Sequence, residues 1–180
     1  DAEEKLNPAQ SYYGHNIEPS REYTYQYEKA YEDLEVVNRG VNMIVDDAAA
    51  IPTTVAQQLN TSGVVKGIKR SRVDLLLNKE PNPFQDISTF RRNLITDYII
   101  DGNIFIYFDG AHLYHLPASK MTIHASDTTY IEKFTFNGKI DYSPSEIIHI
   151  KENSFYSIYR GTSRLKPALR TMILMKRMRD

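Results

Sequence analysis

The chain has 180 residues, of which 41% are hydrophobic and 25% are charged, and its formal net charge is −1. This size and composition fit one globular domain with its own core, or one domain with an appendage. The sequence contains no cysteine, which excludes disulfides and thiolate metal sites. No stretch approaches the roughly 20 apolar residues that cross a bilayer.

The charges are distributed unevenly along the chain. Residues 1–35 carry nine acidic and three basic side chains, whereas residues 158–180 carry seven basic and one acidic. Such asymmetry can indicate a nucleic-acid contact at the basic end, or attraction between the ends of different copies. It is equally typical of two solvated helix faces.

The first elements are a leader and a long helix. Residues 1–22 show no hydrophobic period and are predicted to form a flexible leader. Apolar side chains at helical spacing then predict one long helix over residues 24–50, which Pro52 ends. Gly40 lies inside this helix at a cost of about 1 kcal/mol relative to alanine, so we expect a bend or a close contact there.

The next segment leads to a second, central helix. A short strand is predicted within 53–59, residues 64–73 are ambiguous between strand and loop, and 75–77 form a helical or buried patch. After a proline-rich loop, apolar residues at spacings of three and four predict a helix over 87–99. Asp86 or Ser88 can cap its start, and Gly102 favours a left-handed stop.

A hairpin follows the central helix. Residues 103–108 are dense in strand formers, Asp109-Gly110 predicts a two-residue turn, and residues 111–116 return along the first strand. The helix and the hairpin each have one apolar face, so each can cover the other. This pairing predicts an α+β fold, with the long N-terminal helix and the central helix packed on antiparallel hairpins or a small sheet.

The remaining elements are short strands and a last helix. Strands are predicted over 121–124, 129–136 and 139–142, with a tight turn at Asn137-Gly138, and a buried strand over 146–150. Alternation within that last strand favours a half-buried, hydrogen-bonded His149. A loop over 152–161 leads to a final helix that begins near Ser163 and carries Pro167 in its first turn.

Catalytic signatures are absent from the sequence. There is no phosphate-binding glycine loop, no histidine pair at helical metal-ligand spacing and no nucleophile elbow. Asp97, Asp101 and Asp109 could form a nuclease carboxylate cluster, although each also has a local explanation in a helix face or turn. Elimination therefore favours a protein that is not an enzyme and binds no metal or cofactor. A soluble metal-dependent nucleic-acid-processing enzyme is the alternative.

Four segments, in order and at similar spacing, resemble the portal proteins of long-tailed, siphovirus-type bacteriophages. They are Leu75-Leu-Leu-Asn-Lys-Glu-Pro-Asn-Pro83, Asp101-Gly-Asn-Ile-Phe-Ile-Tyr107, Leu113-Tyr-His-Leu-Pro117 with Met121-Thr-Ile-His124, and Ser145-Glu-Ile-Ile-His-Ile150 with Tyr159-Arg-Gly-Thr-Ser-Arg-Leu-Lys-Pro-Ala168. The resemblance spans roughly residues 30–175. Arg164 departs from the family, many members of which have proline after the serine.

The resemblance implies a wing-like α+β domain over residues 23–160. It implies that residues 161–180 begin a helix leading toward a stem and clip that this sequence does not contain. The motif residues given structural roles are Pro81, Asn82, Pro83, Gly102, Asn103, Gly161 and Ser163. The side chains expected to face DNA or a neighbouring subunit are Arg170, Lys176, Arg177 and Arg179.

The resemblance also implies the function. Portal subunits form a ring, usually of twelve copies, that replaces one capsid vertex of the virion and encloses a channel for double-stranded DNA. Such a ring assembles in the host cytoplasm and contacts the major capsid protein or scaffold, the terminase and the head–tail connector proteins. It serves genome packaging and ejection without catalysis and without a membrane partner. The acidic first helix and the basic last helix could supply the complementary faces between copies.

Overall fold

A computed structural model of the chain describes residues 16–17, 21–58, 65–67, 71–125, 130–155 and 157–179. The α-helices within these ranges are α1 (Arg21–Asp33), α2 (Glu35–Ala49), α3 (Arg72–Asn78), α4 (Ile87–Ile100) and α5 (Leu169–Arg179). The strands are β1 (Asn16–Ile17), β2 (Ala56–Gln58), β3 (Val65–Gly67), β4 (Asn103–Phe108), β5 (Leu113–Leu116), β6 (Met121–Ala125), β7 (Ile131–Phe136), β8 (Ile140–Tyr142) and β9 (Ile147–Lys151). Short 3₁₀ turns cover Ala118–Lys120 and Lys166–Ala168.

The described strands form three antiparallel sheets. One sheet has the order β1-β6-β7-β8, a second has the order β5-β4-β9, and β2 pairs with β3 alone. Strand β4 is the centre of the three-stranded sheet, because it pairs with β5 on one side and β9 on the other.

Strand β4 separates two hydrophobic clusters. Ile104 and Ile106 point toward α4 and pack with Phe90 and Leu113, because alternate side chains of a strand face opposite sides of a sheet. Phe105 points the other way, into a cluster built mainly on the four-stranded sheet. The predicted α+β architecture, with the central helix covering the hairpin, is therefore confirmed.

The prediction of a single long N-terminal helix is wrong in one respect, because the helix is interrupted at Leu34. This residue has extended backbone angles (φ −105°, ψ 109°) between α1 and α2. The break lets α1 pack on α5 while α2 packs on α4, and the Leu34 side chain is buried in the cluster that joins α1 to α5. The Asn38 side-chain amide donates to the Tyr31 carbonyl at 3.1 Å, which satisfies an acceptor near the break.

Gly40 causes no bend, contrary to one of the two expectations. Helix α2 continues through it, and a Cβ added at Gly40 would meet nothing within 4 Å. No described neighbour in this chain therefore explains a glycine at this position.

The hairpin loop is longer than the predicted two-residue turn. Phe108 pairs with Leu113, which leaves residues 109–112 as a four-residue loop. The Asp109 carboxylate accepts from the backbone N–H groups of Ala111 and His112 at 2.7 and 2.6 Å. The Asp109 side chain therefore accepts the hydrogen bonds of two backbone N–H groups in the loop. The Asn137-Gly138 turn is confirmed, since both residues have positive φ, 53° and 65°.

Two later expectations also need correction. Strand β9 is only partly buried, because it is the edge of its sheet and leaves Ile148 and Ile150 46% and 47% exposed. The last helix starts later than Ser163: a turn over Lys166–Ala168, with Pro167 inside it, precedes α5.

Some predictions concern residues outside the described ranges. Most of the predicted leader, residues 1–22, belongs to this group; of its described part, β1 pairs with β6. The domain boundaries at 23, 160 and 161 therefore remain predictions. Of the strand predicted within 53–59, β2 is present. Within the described ranges, no helix has the length and apolar character to cross a membrane.

Two glycine substitutions test the backbone assignment. Gly40→Ala should raise the free energy of unfolding by about 1 kcal/mol, because alanine is the better helix former and the space is open. Gly138→Ala also faces open space, but its φ of +65° should make it destabilising by roughly 1–2 kcal/mol. Urea unfolding measures both; effects of the same sign would contradict the assignment.

Candidate functional site

The end of α4 and the loop before α5 meet in a buried ion pair. Asp101 and Arg160 are 8% and 7% exposed. Arg160 Nη2 donates to Asp101 Oδ1 and Oδ2 at 2.9 and 3.1 Å. The guanidinium also donates to the backbone carbonyls of Ala118 at 2.8 Å and Met121 at 3.1 Å. The pair therefore ties α4 and the loop to the first residue of β6 in the four-stranded sheet. The expectation that Asp101 lies on a polar helix face is wrong, because the residue is buried.

Asn103 extends this junction into the three-stranded sheet. Its side chain is fully buried, and its Nδ2 donates to Asp101 Oδ1 at 2.7 Å. Its Oδ1 accepts from the Gly161 backbone N–H at 2.7 Å and faces His149 Nε2 at 3.1 Å. Asn103, Asp101, Arg160, Gly161 and His149 thus form one hydrogen-bonded group, called here the polar junction.

The two motif glycines let the backbones touch. Gly102 has a φ of +83°, which confirms the left-handed stop, and a Cβ there would lie 2.5 Å from the Thr162 backbone. A Cβ at Gly161 would lie 2.0 Å from the Gly102 carbonyl oxygen and 2.8 Å from the Glu152 nitrogen. Real Cβ atoms do not approach so closely, so side chains at either position would separate α4 from the loop.

Ser163 and Arg164 carry the chain from the junction into α5. The Arg164 backbone N–H donates to the Ile99 carbonyl at 3.1 Å, and the buried Ser163 Oγ accepts from the Leu165 N–H at 3.1 Å. The Arg164 side chain pairs with Glu152 at 2.5 Å and lies over the Tyr98 ring, 5.3 Å from its centroid.

The Pro81-Asn82-Pro83 motif forms a separate site at the other end of α4. Asn82 is 2% exposed; its Nδ2 donates to the Leu113 carbonyl at 2.8 Å, and its Oδ1 accepts from the Phe84 N–H at 2.9 Å. The Leu113 N–H donates to the Pro81 carbonyl at 2.8 Å. The motif is therefore a rigid turn fixed to the hairpin, and it does not contact the polar junction through these bonds.

The last helix carries the four basic residues expected to face DNA or a neighbouring subunit. Arg170 and Arg177 are exposed, while the Lys176 and Arg179 side chains fall outside the described structure. Helix α1 packs on α5 within one copy, through Tyr27 and Met172 among others. The acidic and basic helices are therefore neighbours in the same subunit, and their roles toward DNA or a second copy remain predictions.

The three aspartates considered for a nuclease are held by separate partners. Asp97 Oδ2 lies 2.8 Å from both His115 Nε2 and the Ala118 nitrogen, Asp101 belongs to the polar junction, and Asp109 caps its own loop. Within the part of the chain that the structure describes, no three His, Asp or Glu side chains are placed to hold a metal ion.

The sequence does not single out Arg160 as a junction residue. A count of net charge places it with the other basic residues near the end of the chain, because such a count cannot distinguish a buried guanidinium from an exposed one. The available signal is its position between Tyr159 and Gly161 in the fourth motif segment, since an arginine flanked by a core aromatic and a close-packed glycine is poorly placed for solvent.

The ion pair can be tested by a double-mutant cycle. Arg160→Met leaves the Asp101 carboxylate buried without its cation and should cost roughly 3–5 kcal/mol of unfolding free energy. Adding Asp101→Asn removes that charge, so the double variant should be less destabilised than the sum of the two single variants. Chemical denaturation measures all four proteins, and additive effects would show that the pair is not coupled.

His149 predicts a pH dependence of stability. The sequence-based expectation of a half-buried, bonded histidine is confirmed: its ring stacks on Phe105 at 4.4 Å and bonds to Asn103. Burial, followed by the nearby Arg160 charge, lowers its pKa from 6.5 to about 4. Below pH 6.5 His149 therefore becomes protonated in the unfolded chain but stays neutral in the folded chain until the pH nears 4. The free energy of unfolding should consequently fall by about 3 kcal/mol between pH 6.5 and 4.

Unfolding free energies of the wild type and of His149→Gln at several pH values between 7 and 4 give the measurement. The variant should show a shallower dependence on pH, because it lacks the titrating group. Parallel curves for the two proteins would contradict the assignment.

Comparison with known proteins identifies the family. The family model described as phage portal protein matches residues 35–179. A portal protein of Escherichia phage T5 is 43% identical over 156 residues, which cover 84% of this chain and 38% of that protein. The chain therefore spans well under half the length of that relative.

Solved structures agree in fold. A chain from the neck of the empty gene transfer agent particle, with C6 symmetry, aligns with a TM-score of 0.76 at 19% identity over 89% of this chain and 45% of that one. A chain from the neck of the native particle, with C12 symmetry, gives a TM-score of 0.72, also at 19% identity, over 89% and 44%. On the family match over residues 35–179, this chain belongs to the phage portal protein family.

Proposed function

We propose that this chain is the wing portion of a portal subunit, and that copies of it form a ring around a channel for double-stranded DNA in the virion. The observation that carries the proposal is the family match over residues 35–179. The T5 relative supports it, because that portal protein is 43% identical to this chain over 84% of the chain's length.

The fixed arrangement of the helices and sheets suits a structural subunit of a ring. The polar junction holds the end of α4 and the central strand β4 against the loop that leads to α5. Rigid placement of elements is what a closed ring requires, since each copy must meet its two neighbours at a constant angle. We therefore propose a structural role without catalytic turnover.

The proposed ring has twelve copies, a number supported by the C12 symmetry of one structural neighbour. Its proposed partners are the major capsid protein or scaffold, the terminase and the head–tail connector proteins, met in the host cytoplasm during assembly and at the portal vertex of the virion. Residues 23–160 would form the wing, and residues 161–180 would lead toward the stem.

Contacts with DNA would be made to phosphates and would carry no sequence information. The exposed Arg170 and Arg177, together with Lys176 and Arg179, are the proposed groups for facing DNA or a neighbouring subunit. Both alternatives place the exposed side of α5 that carries Arg170 and Arg177 on a functional surface.

Ring formation is the direct test of this function. The protein expressed from its complete reading frame and purified should form annular particles in negative-stain micrographs, and it should not cleave double-stranded DNA in the presence of Mg²⁺ or Mn²⁺. Particles that remain monomeric while DNA is cut would overturn the proposal in favour of the nuclease.

Charge reversal tests the last helix. Arg170→Glu/Lys176→Glu/Arg177→Glu should reduce the fraction of protein in rings, because it replaces attraction to an acidic neighbour or to phosphate by repulsion. A matched control reverses three exposed lysines elsewhere: Lys120, Lys139 and Lys151. An equal ring yield for the two triple variants would refute the assignment.

A further inference from the structure

The solvent-facing side of α2 carries apolar residues where a surface helix normally carries polar ones. Four exposed residues follow one another at spacings of four, three and four, so they share one side of the helix: Val36, Gly40, Met43 and Asp47. Val36 and Met43 are 61% and 65% exposed, whereas Val45 on the opposite side is fully buried. These four residues, called here the α2 stripe, form an apolar surface with one carboxylate at its end.

Gly40 leaves a gap in the middle of the α2 stripe. A Cβ at this position would meet nothing within 4 Å. Packing within the described part of the subunit therefore does not explain why the helix forgoes the better propensity of alanine, a difference of about 1 kcal/mol. A residue without a side chain lets another chain approach the helix backbone closely. The α2 stripe is thus shaped to receive a helix from outside the subunit.

The solvent-facing side of α5 combines basic and apolar residues at a similar spacing. Arg170, Leu174 and Met178 recur every four residues and Arg177 lies beside them, so the four residues lie on the side of α5 away from the buried Met172. Leu174 and Met178 are 58% and 87% exposed, and both arginines are exposed as well. These four residues, called here the α5 stripe, carry the charge opposite to that of the α2 stripe.

The charges of the two stripes are available to a partner. Among the described residues, neither the Asp47 carboxylate nor the Arg170 guanidinium has a hydrogen-bond or ion-pair partner. The neighbouring charges of α2 are already engaged within the subunit, Asp46 with Arg92 and Glu35 with Arg39. An apolar groove of about 540 Å³, lined by α2, α4 and α5, lies between the two helices of one copy. Asp47 can therefore meet Arg170 only in another copy.

We propose that the α5 stripe of one copy packs on the α2 stripe of the next copy, with Arg170 paired to Asp47. The proposal rests on the ring function given above, because a closed ring is built from contacts in which one face of a copy meets a different face of the next. The two stripes are such a pair, since each copy presents both of them, on different helices and with opposite charge. The exposed side of α5 then belongs to a subunit interface and not to a DNA contact.

Antiparallel packing matches the two stripes position by position. When Arg170 lies opposite Asp47, a rise of about 1.5 Å per residue places Leu174 opposite Met43. The same rise places Met178 opposite the gap in the α2 stripe, where its flexible side chain can fill the space. Parallel packing around the same ion pair would instead place both apolar residues of the α5 stripe beyond the end of α2. The antiparallel arrangement is therefore the one that buries them.

A charge swap tests the ion pair while leaving every apolar side chain of both stripes in place. Asp47→Arg and Arg170→Asp each put two like charges into the contact. Each should raise the protein concentration for half-maximal ring formation about tenfold, the effect of losing about 1.4 kcal/mol of contact free energy. The double variant Asp47→Arg/Arg170→Asp restores an opposite pair in every contact and should return this concentration close to the wild-type value. Negative-stain counts of the protein expressed from its complete reading frame, over a dilution series, give the measurement.

A matched control separates pairing from a change in net charge. Asp47→Arg/Lys139→Asp has the same net charge as the swapped protein, but its new acid lies at an exposed position in the turn before β8. This variant should stay as defective in ring formation as Asp47→Arg alone. Circular dichroism checks that every variant is folded.

A size swap tests the gap at Gly40 independently of charge. Gly40→Leu should weaken ring formation, because the new side chain occupies the space over which Met178 lies, while the open surroundings of its Cβ leave its own subunit folded. Met178→Ala in the same chain vacates that space and should recover part of the loss. Undiminished ring formation by Gly40→Leu would overturn the close packing on α2.

The outcomes distinguish this docking from the function on which it rests. A loss of rings in both single charge variants, with recovery in the double variant but not in the Lys139→Asp control, supports the docking. If the wild type forms rings, a loss confined to one single variant, no loss in either, or no selective recovery overturns the docking and leaves the portal function standing. A wild-type protein that forms no rings removes both proposals.

Discussion

The buried Asp101–Arg160 pair is the interaction on which the rest of this domain depends. Removing both charges from water is costly, and a pair at this depth is tolerable only when every remaining donor and acceptor finds a partner. Here the guanidinium uses two backbone carbonyls, and the carboxylate also accepts from Asn103. These directional bonds fix the loop before α5 against the end of α4, which apolar contacts alone would leave free to slide.

This constraint explains the arrangement of the elements around it. Gly102 and Gly161 allow the backbones to approach closely enough for the polar junction to form, and Ser163 then begins the turn that directs α5. Helix α5 is covered on one side by α1, which the break at Leu34 turns away from α2. The side of α5 that α1 leaves open lines an apolar groove together with α2 and α4. Buried polar geometry thus places the exposed sides of α5, which agrees with the shape-holding role proposed above.

The sequence was informative where a local rule decided the structure. The Asp86 cap, the Gly102 stop and the Asn137-Gly138 turn follow from one or two residue types at fixed positions, and the strand over 103–108 follows from an unbroken local run of strand formers. It failed where distant residues decide: Leu34 breaks a helix because α1 and α2 have different partners, and Asp101 is buried because Arg160, 59 residues later, reaches it. The four motif segments nevertheless identified the family, since their residues include both glycines, Asn103 and Ser163 of the junction region.

The central claim is that the polar junction sets the direction of α5 relative to the sheets. The most direct measurement is a pulsed electron paramagnetic resonance distance between spin labels at Ile140→Cys on β8 and Met178→Cys on α5, both exposed positions. We expect a narrow distance distribution in the otherwise native chain, and a broad one in the Asp101→Asn/Arg160→Met variant under conditions where it remains folded. An equally narrow distribution in that folded variant would contradict the central claim.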